Sequence, residues 1–409
     1  AVVAAPPQPL ASQNSATNSS PSWSPSDPVR IAGGNKSYLN LSLDGLFAAG
    51  GSTASDIERL EPGGHDPKVN GFTVQNLELT LEGAVDPYFK GQASLLFQID
   101  SSGESRTELE EAYLTSVALP ANLQLKAGQF FTEFGRLNTS HPHTWTFVDQ
   151  PLVNGRLFGA DGLRNPGARL SWLVPTPFYS ELFFAVQNSH GETAYSFRQD
   201  NGGELLFGRP TDLGEVDHFT DLLLTPRYAL SFDLTDTQTL LMGASGAFGP
   251  NGTGESERTE VYGLDLFWKW KPKNSQGGFP FVSWQTEGMI RRFEAAAYDG
   301  LHDPANPTPA LPAEDLLDYG FYSQVAYGFR HGWVAALRGD WVSGDTGAFA
   351  PDPDRATRWR ISPNLTWYPS EFSKIRVQYN YDDRELDGVD HSVWLQLEFL
   401  LGAHAAHRF

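Results

Sequence analysis

Two histidines, His141 and His143, flank a proline, and Asp149 follows six residues later. Imidazole nitrogens and a carboxylate are donors for a divalent transition metal. Pro142 restrains the backbone between the two rings, which favours a fixed spacing. The spacing specifies no third ligand, and hydrogen-bonded loop histidines are the competing reading. No firm metal site is therefore assigned, and His141, His143 and Asp149 stand only as candidates. The same stretch carries Glu133, Arg136, Arg156, Asp161 and Arg164. Charges of both signs at a narrowing of an aqueous passage would set its local potential and its ion preference. The competing role for the segment is to pack against a wall and prop it open. The sequence contains neither a nucleophile elbow nor an HExxH helix, so the expectation is a protein that is not an enzyme.

Composition narrows the classes. The 409 residues include no cysteine, which excludes a disulfide scaffold, an iron–sulfur protein and a thiolate zinc site. Lys and Arg number 29 against 49 Asp and Glu, a formal charge of −20. A nucleic-acid partner, which needs basic surface to replace counterions, is not expected. There are 11 Trp, 14 Tyr and 27 Phe, yet mean hydropathy is −0.35. No run approaches the roughly 18 apolar residues of a membrane helix.

Apolar and polar residues instead alternate almost from end to end, the period of a strand. Leu77, Leu79 and Leu81 oppose Asn76, Glu78 and Thr80; Ile375, Val377 and Tyr379 oppose Arg376, Gln378 and Asn380. Sixteen candidate strands follow, at about 37–49, 71–85, 88–100, 107–119, 122–134, 167–174, 178–188, 221–234, 237–248, 258–271, 280–293, 317–330, 332–343, 357–369, 373–383 and 390–401. The connections form two sets. Asp86-Pro87, Pro120-Ala121, Thr235-Asp236 and His331 belong to a short set, whereas 50–70, 135–166, 189–220 and 294–316 are long. The fold expected is all-β: a transmembrane antiparallel β-barrel of about 16 strands, with short periplasmic turns and long extracellular loops. A soluble sandwich or lipocalin-like barrel is the alternative, but it would have to cover so much apolar strand face without helices.

In a membrane barrel the apolar parity faces lipid and the polar parity lines the interior. Trp172, Trp268, Trp270, Trp284, Trp333, Trp341, Trp367, Tyr379 and Tyr381 fall on the lipid parity, as aromatic girdles do. The pore wall then carries Lys90, Lys126, Arg169, Arg227, Lys269, Arg291, Arg338, Arg360 and Arg376. Against these nine cations stand eleven acids: Asp44, Glu78, Glu82, Asp100, Glu181, Asp233, Asp265, Glu287, Asp340, Asp382 and Glu398. The wall is mixed, and most of the net charge is left to the loops. Acidic groups there include Asp56, Glu58, Glu61 and Asp66; Asp212, Glu215 and Asp217; Asp299, Asp303, Glu314 and Asp315; and Asp345, Asp352 and Asp354. They are candidates to hold divalent cations or bridge lipopolysaccharide, with solvated loops as the competing reading. No cofactor is expected.

Residues 1–30, rich in Pro, Ser and Ala, read as a flexible tail; 31–409 read as one barrel with an inward-folded loop three at about 135–166. The opening AVVAAPPQPL has no basic or apolar leader pattern, so the expectation is either no export signal or a processed form. A final amphipathic strand precedes Phe409, which resembles the terminal assembly signal of outer-membrane barrels. His404 and His407 would lie at the periplasmic end, apart from His141.

Two stretches carry a family likeness: Gly71-Phe72 through Asp100, a strand pair broken by Asp86-Pro87, and Gly128-Gln129-Phe130 to Phe134-Gly135, which leads into the long third loop. In these the chain resembles a bacterial outer-membrane porin, nearest to the phosphate-selective porin (O and P) superfamily. The resemblance implies a 16-stranded channel in the bacterial outer membrane, often a homotrimer, with loop three folded into the pore. It also implies lipid, lipopolysaccharide and barrel-assembly machinery as partners. Some members of that superfamily select anions with an arginine ladder; the mixed wall lacks one, so phosphate selectivity is not carried over. The function expected is a passive, water-filled diffusion channel for small polar or ionic solutes. The alternative is a binding or assembly barrel that takes up a metal or encloses a partner protein or electron carrier.

Overall fold

The computed structural model describes residues 28–34, 37–84, 86–199, 205–300 and 309–402. Asp303, His404, His407, Phe409 and the chain before residue 28 lie outside the described residues. Seventeen strands form one sheet: β1 (Val29–Gly33), β2 (Tyr38–Ser52), β3 (Gly71–Ala84), β4 (Phe89–Ile99), β5 (Ser105–Ser116), β6 (Leu123–Phe131), β7 (Arg164–Leu173), β8 (Tyr179–Asn188), β9 (Leu222–Thr235), β10 (Gln238–Pro250), β11 (Arg258–Trp270), β12 (Phe281–Ala295), β13 (Glu314–Arg330), β14 (Trp333–Gly344), β15 (Arg358–Ser370), β16 (Ser373–Arg384) and β17 (Gly388–Leu401). From β2 onward each strand pairs antiparallel with the next. β17 closes on β2, with Leu397 opposite Phe47, giving a barrel of sixteen strands.

Lipid offers the backbone no hydrogen-bond partners, so closure is what lets strands cross it. The polarity of the wall is accordingly inverted. Along β15 and β16 the inward Arg360, Ser362, Thr366, Lys374, Arg376, Gln378 and Asn380 are buried, whereas the outward Ile361, Leu365, Val377 and Tyr379 are exposed. Leu264, on the middle of β11, is 69% exposed. No helix among the described residues is long and apolar enough to cross a membrane.

The aromatics form two belts. Trp172, Trp268, Trp284, Trp333 and Trp367 lie near the short-turn ends of their strands, with Trp333 stacked on Trp367 at 5.8 Å. Tyr319, Trp341, Trp359 and Tyr381 mark the long-loop end, where Trp341 pairs opposite Trp359.

Three local departures from the sequence reading matter. The expected tail boundary at Arg30 cuts through β1, which pairs with Tyr38–Leu41 at the start of β2. Asp100 is not on the wall: it organises the 100–104 turn, accepting from Ser102, Glu104 and Arg106. Finally, β2–β3 and β4–β5 each carry a bulge. Asn76 pairs with Leu46 and Val74 with Phe47, so Gln75 has no partner; Glu111 pairs with Ser94 and Leu109 with Leu95, so Glu110 has none. A bulge breaks strict alternation. Gln75 and Asn76, and Glu110 and Glu111, are therefore buried as consecutive residues.

The inverted wall makes a direct prediction. Leu264→Arg should destabilise the barrel by about 2–4 kcal/mol in lipid vesicles, the cost of a cation near the bilayer midplane. Denaturant unfolding followed by tryptophan fluorescence measures it; a loss below about 0.5 kcal/mol would place Leu264 away from lipid.

Candidate functional site

Loop three, 132–163, leaves β6 and is held inside the barrel by a succession of wall side chains. It first turns at Gly135, where φ is +59° and an added Cβ would lie 2.0 Å from Glu287 Oε2. That close approach lets the Arg136 and Leu137 amides donate to Glu287 at 3.0 and 2.8 Å. Asn138 donates to the Thr132 and Leu163 carbonyls, pinching the two ends of the loop together.

The middle of the loop crosses to two further regions. His141 lies among Glu78, Glu110 and Glu111, and His143 Nδ1 lies 2.8 Å from Asp44. Burial lowers the pKa of His141, but the facing carboxylates outweigh it and hold the ring protonated well above its usual range. Beyond it, Asp149 receives Arg338 at 2.8 Å, Arg360 at 2.6 Å, Gln378 at 2.8 Å and Asn380 at 2.7 Å. Burial pushes the Asp149 carboxyl up, yet Arg338, Arg360 and the two amides hold it down at about 2. The loop then forms α1 (Leu152–Phe158), whose Leu152, Val153, Leu157 and Phe158 join Phe134, Val261, Met289, Tyr322 and Val342 in an apolar cluster inside the barrel. Leu152 N–H donates to Asp340, and Arg156 donates to the carbonyls of Arg355 and Ala356.

The other expected constriction residues occupy the flanks. Glu133 accepts from Arg169 at 2.7 Å and from Lys126 at 3.4 Å. Asp161 is half-buried against loop one; a Cβ on Gly64 would come within 2.1 Å of its Oδ1. Arg164 belongs to β7 rather than to the loop and pairs with Glu108. Asp149 is not a metal partner of the histidines: the arginine pair on β14 and β15 takes it, while the histidines meet strands β2, β3 and β5.

The wall residues face inward, but most meet protein rather than open water. Arg227 pairs with Asp265 at 2.6 Å and Arg291 with Asp318 at 2.6 Å. Arg338 also pairs with Asp340 at 2.7 Å, and Glu398 pairs with Lys374. Arg376 donates to Gln396, Thr366 and the Trp145 carbonyl. Glu287 receives the loop amides already described. Lys90 is exposed at the short-turn end, and Lys269, half-buried, lies 5.5 Å from the Phe281 ring. Alternation carries no information about the partners of these side chains.

Loop one, 53–70, was expected outside and instead folds in. Glu61 and Asp66 are buried; Glu61 meets Arg360 at 2.7 Å, and Asp66 accepts from the Gln150 amide at 2.8 Å. Arg360 thus faces three carboxylates, Glu61, Asp149 and Asp382. Burial raises the Glu61 pKa, Arg360 opposes it, and Asp149, Asp66 and Asp382 add to the rise, leaving it at about 8. Ser196 and Phe197 of loop four are also buried, Ser196 against Arg291 at 2.9 Å. Recesses among the described residues of the long-loop mouth include one of about 350 Å³ beside Arg156 and Arg358 and one of about 570 Å³ beside Lys68, Asp100 and Arg106.

No family model matches the chain. A protein of Aquifex aeolicus (strain VF5), described as uncharacterized, is 30% identical over 403 residues, which cover 91% of this chain and 79% of that protein. Among solved structures, the outer membrane channel DcaP of Acinetobacter baumannii is similar with a TM-score of 0.53 and 14% identity, over 90% of this chain and 98% of that one. Salmonella typhi OmpF, solved with daunomycin, gives 0.51 and 12% over 91% and 100%. A loop-deleted OmpT, an outer membrane protein of Vibrio cholerae, gives 0.52 and 8% over 90% and 100%. At these identities the likeness is one of fold: the porin-like barrel of the outer membrane.

The Glu61 environment predicts a pH dependence. Docked loop one holds a proton up to about pH 8, whereas a released Glu61 would lose it at its ordinary value of 4.5. Docking is therefore strongest below 4.5 and weakens as pH rises to 8. The chain has no cysteine, so Leu60→Cys, at a fully buried position, supplies a single reporter. Its maleimide labelling, corrected for thiol ionisation, should rise across this window by up to about tenfold per pH unit. The added substitution Glu61→Gln should hold it at the low-pH level. A flat profile with Glu61 present would refute the assignment.

Proposed function

We propose that this chain, which belongs to the same family as the uncharacterized Aquifex aeolicus protein, forms a passive channel for small polar or ionic solutes across a bacterial outer membrane. The observation that carries this reading is a closed sixteen-strand barrel whose charged interior is narrowed by an inward loop three. Solutes would move down their gradients without a cofactor or an energy source. With loops one, three and four inside, the path is narrow, so the pore is proposed for ions and small molecules rather than for chains or folded partners.

Selectivity follows from where charge is left uncompensated. The arginines of β14 and β15 are committed to Asp149, Asp340 and Asp382, which leaves no free row of cations there for anions to climb. Asp56, Glu58 and Asp217 are exposed in the connections at the long-loop end. A charged mouth concentrates its counterions, so the proposed preference is weakly cationic. The resemblance to phosphate-selective porins then extends to architecture and not to phosphate.

Planar-bilayer recording tests this. Purified protein should give stepwise openings, and Asp149→Ala should raise single-channel conductance by about twofold or more as the loop loses a charged anchor. Reversal potentials in a salt gradient should show a modest cation preference. A folded protein silent in both forms would overturn the channel, and a strong anion preference would overturn the reading of its charge.

A further inference from the structure

The β4–β5 bulge and the His141-Pro142-His143 segment together build a cluster of ion pairs in which carboxylates outnumber imidazoles. Four carboxylates converge there: Asp44 from β2, Glu78 from β3, and Glu110 and Glu111 from β5. All four are buried, as are both histidines. Two sets of three donors, Glu78–Glu110–His141 and Asp44–Glu78–His143, each have their ligand atoms within 4.8 Å of one another and share Glu78.

Three features distinguish this cluster from an ordinary ion-pair network. First, His141 Nδ1 faces two oxygens at once, Glu78 Oε2 at 3.1 Å and Glu110 Oε2 at 3.2 Å. One N–H donates well to only one of them. Neither oxygen of Glu110 accepts a hydrogen bond of good geometry, although the residue is 1% exposed. Second, four carboxylates face three imidazoles, His141, His143 and His65, whose Nε2 lies 3.8 Å from Glu110, so even three protonated rings leave excess negative charge in a buried place. Unbalanced buried charge is costly, and a bound cation relieves it. Third, the spacings suit coordination. Donors about 2.1 Å from one ion lie roughly 3–3.4 Å apart at neighbouring positions, and the contacts of His141 with Glu78 and Glu110 are 3.1 and 3.2 Å. His143 Nδ1 lies 2.8 Å from Asp44 and 3.8 Å from Glu78.

The far side of His141 is arranged to match. Its Nε2 lies 3.2 Å from Glu111 Oε2. A carboxylate on the remote nitrogen of a ligating histidine fixes the tautomer and leaves the other lone pair for the metal. A cavity of about 30 Å³ adjoins Glu110, His65 and Trp145. That is room for a water to complete a coordination sphere.

We propose that Asp44, Glu78, Glu110, His141 and His143 form a carboxylate-bridged site for two divalent transition-metal ions, with Glu78 as the bridge and Glu111 as the residue that orients His141. Mixed imidazole and carboxylate donors suit Zn²⁺, Mn²⁺ or Fe²⁺; Ca²⁺ and Mg²⁺ favour all-oxygen sets. The site draws its carboxylates from the wall and its imidazoles from loop three, so bound metal would fasten the loop to β2, β3 and β5. This inference is independent of whether the barrel conducts.

Zn²⁺ titration by calorimetry, with elemental analysis after desalting, tests it on the full chain folded in detergent and stripped with a chelator. The expected result is about two Zn²⁺ per chain at micromolar affinity or better. His141→Ala/His143→Ala should abolish that binding, and Glu78→Gln should weaken it at least about tenfold. Excess Ca²⁺ should not displace the zinc. Equal zinc uptake by the double-histidine variant, or ready displacement by Ca²⁺, would overturn the proposal. Should the double variant fail to fold, Co²⁺ added to the unsubstituted protein decides: a visible spectrum shifted and intensified from aqueous Co²⁺ supports the site, and an unshifted one overturns it.

Discussion

A backbone that crosses lipid must satisfy its own hydrogen bonds, and much of the molecule follows from that constraint. It forces closure of β17 on β2 and turns the apolar face outward. The polar face is left to line an interior that sixteen strands make wide. Three loops fold into this space, and the wall binds them through groups that the inverted pattern already placed inside. The plug is thus a consequence of the barrel's polarity rather than an independent core.

The binding of that plug has a definite energetic character. Asp149 is buried with two arginines and two amides. Such pairs recover their desolvation cost only when every partner is present, so they fix position more than they add stability. The apolar side of α1 supplies the non-directional part, through Phe134, Leu157 and Phe158. One end of loop three is therefore held by packing and its middle by charge. The charged part responds to protons and ions, whereas the packed part does not.

Much of this was legible in the sequence. Alternation located the strands to within a few residues, and it assigned Arg338, Arg360 and Arg376 to the inner face. The long aperiodic stretch after Phe134 marked loop three. Other features were not legible, for identifiable reasons. A bulge is a register event between two strands, so Glu110 and Glu111 facing the same way cannot be read from either strand alone. The acids of loop one resemble those of any solvated loop. Only the position of Arg360 across the lumen shows that Glu61 turns inward. The carboxylates that face His141 and His143 lie 30 to 99 residues away in sequence, beyond the reach of spacing arguments.

β1 has a consequence for how the ring is joined. It occupies the edge of β2 at Tyr38–Leu41, and β17 takes the adjoining edge from Leu43 to Ser52. The seam joins strands from opposite ends of the chain, and a slip of two residues there would keep every side chain on its proper face. Hydrophobic patterning alone therefore cannot reject the slip. With the neighbouring edge already filled by a local hairpin, β17 has nowhere to slide in that direction. β1 serves as a register stop, removing by steric exclusion one of the two slips that side-chain polarity leaves open.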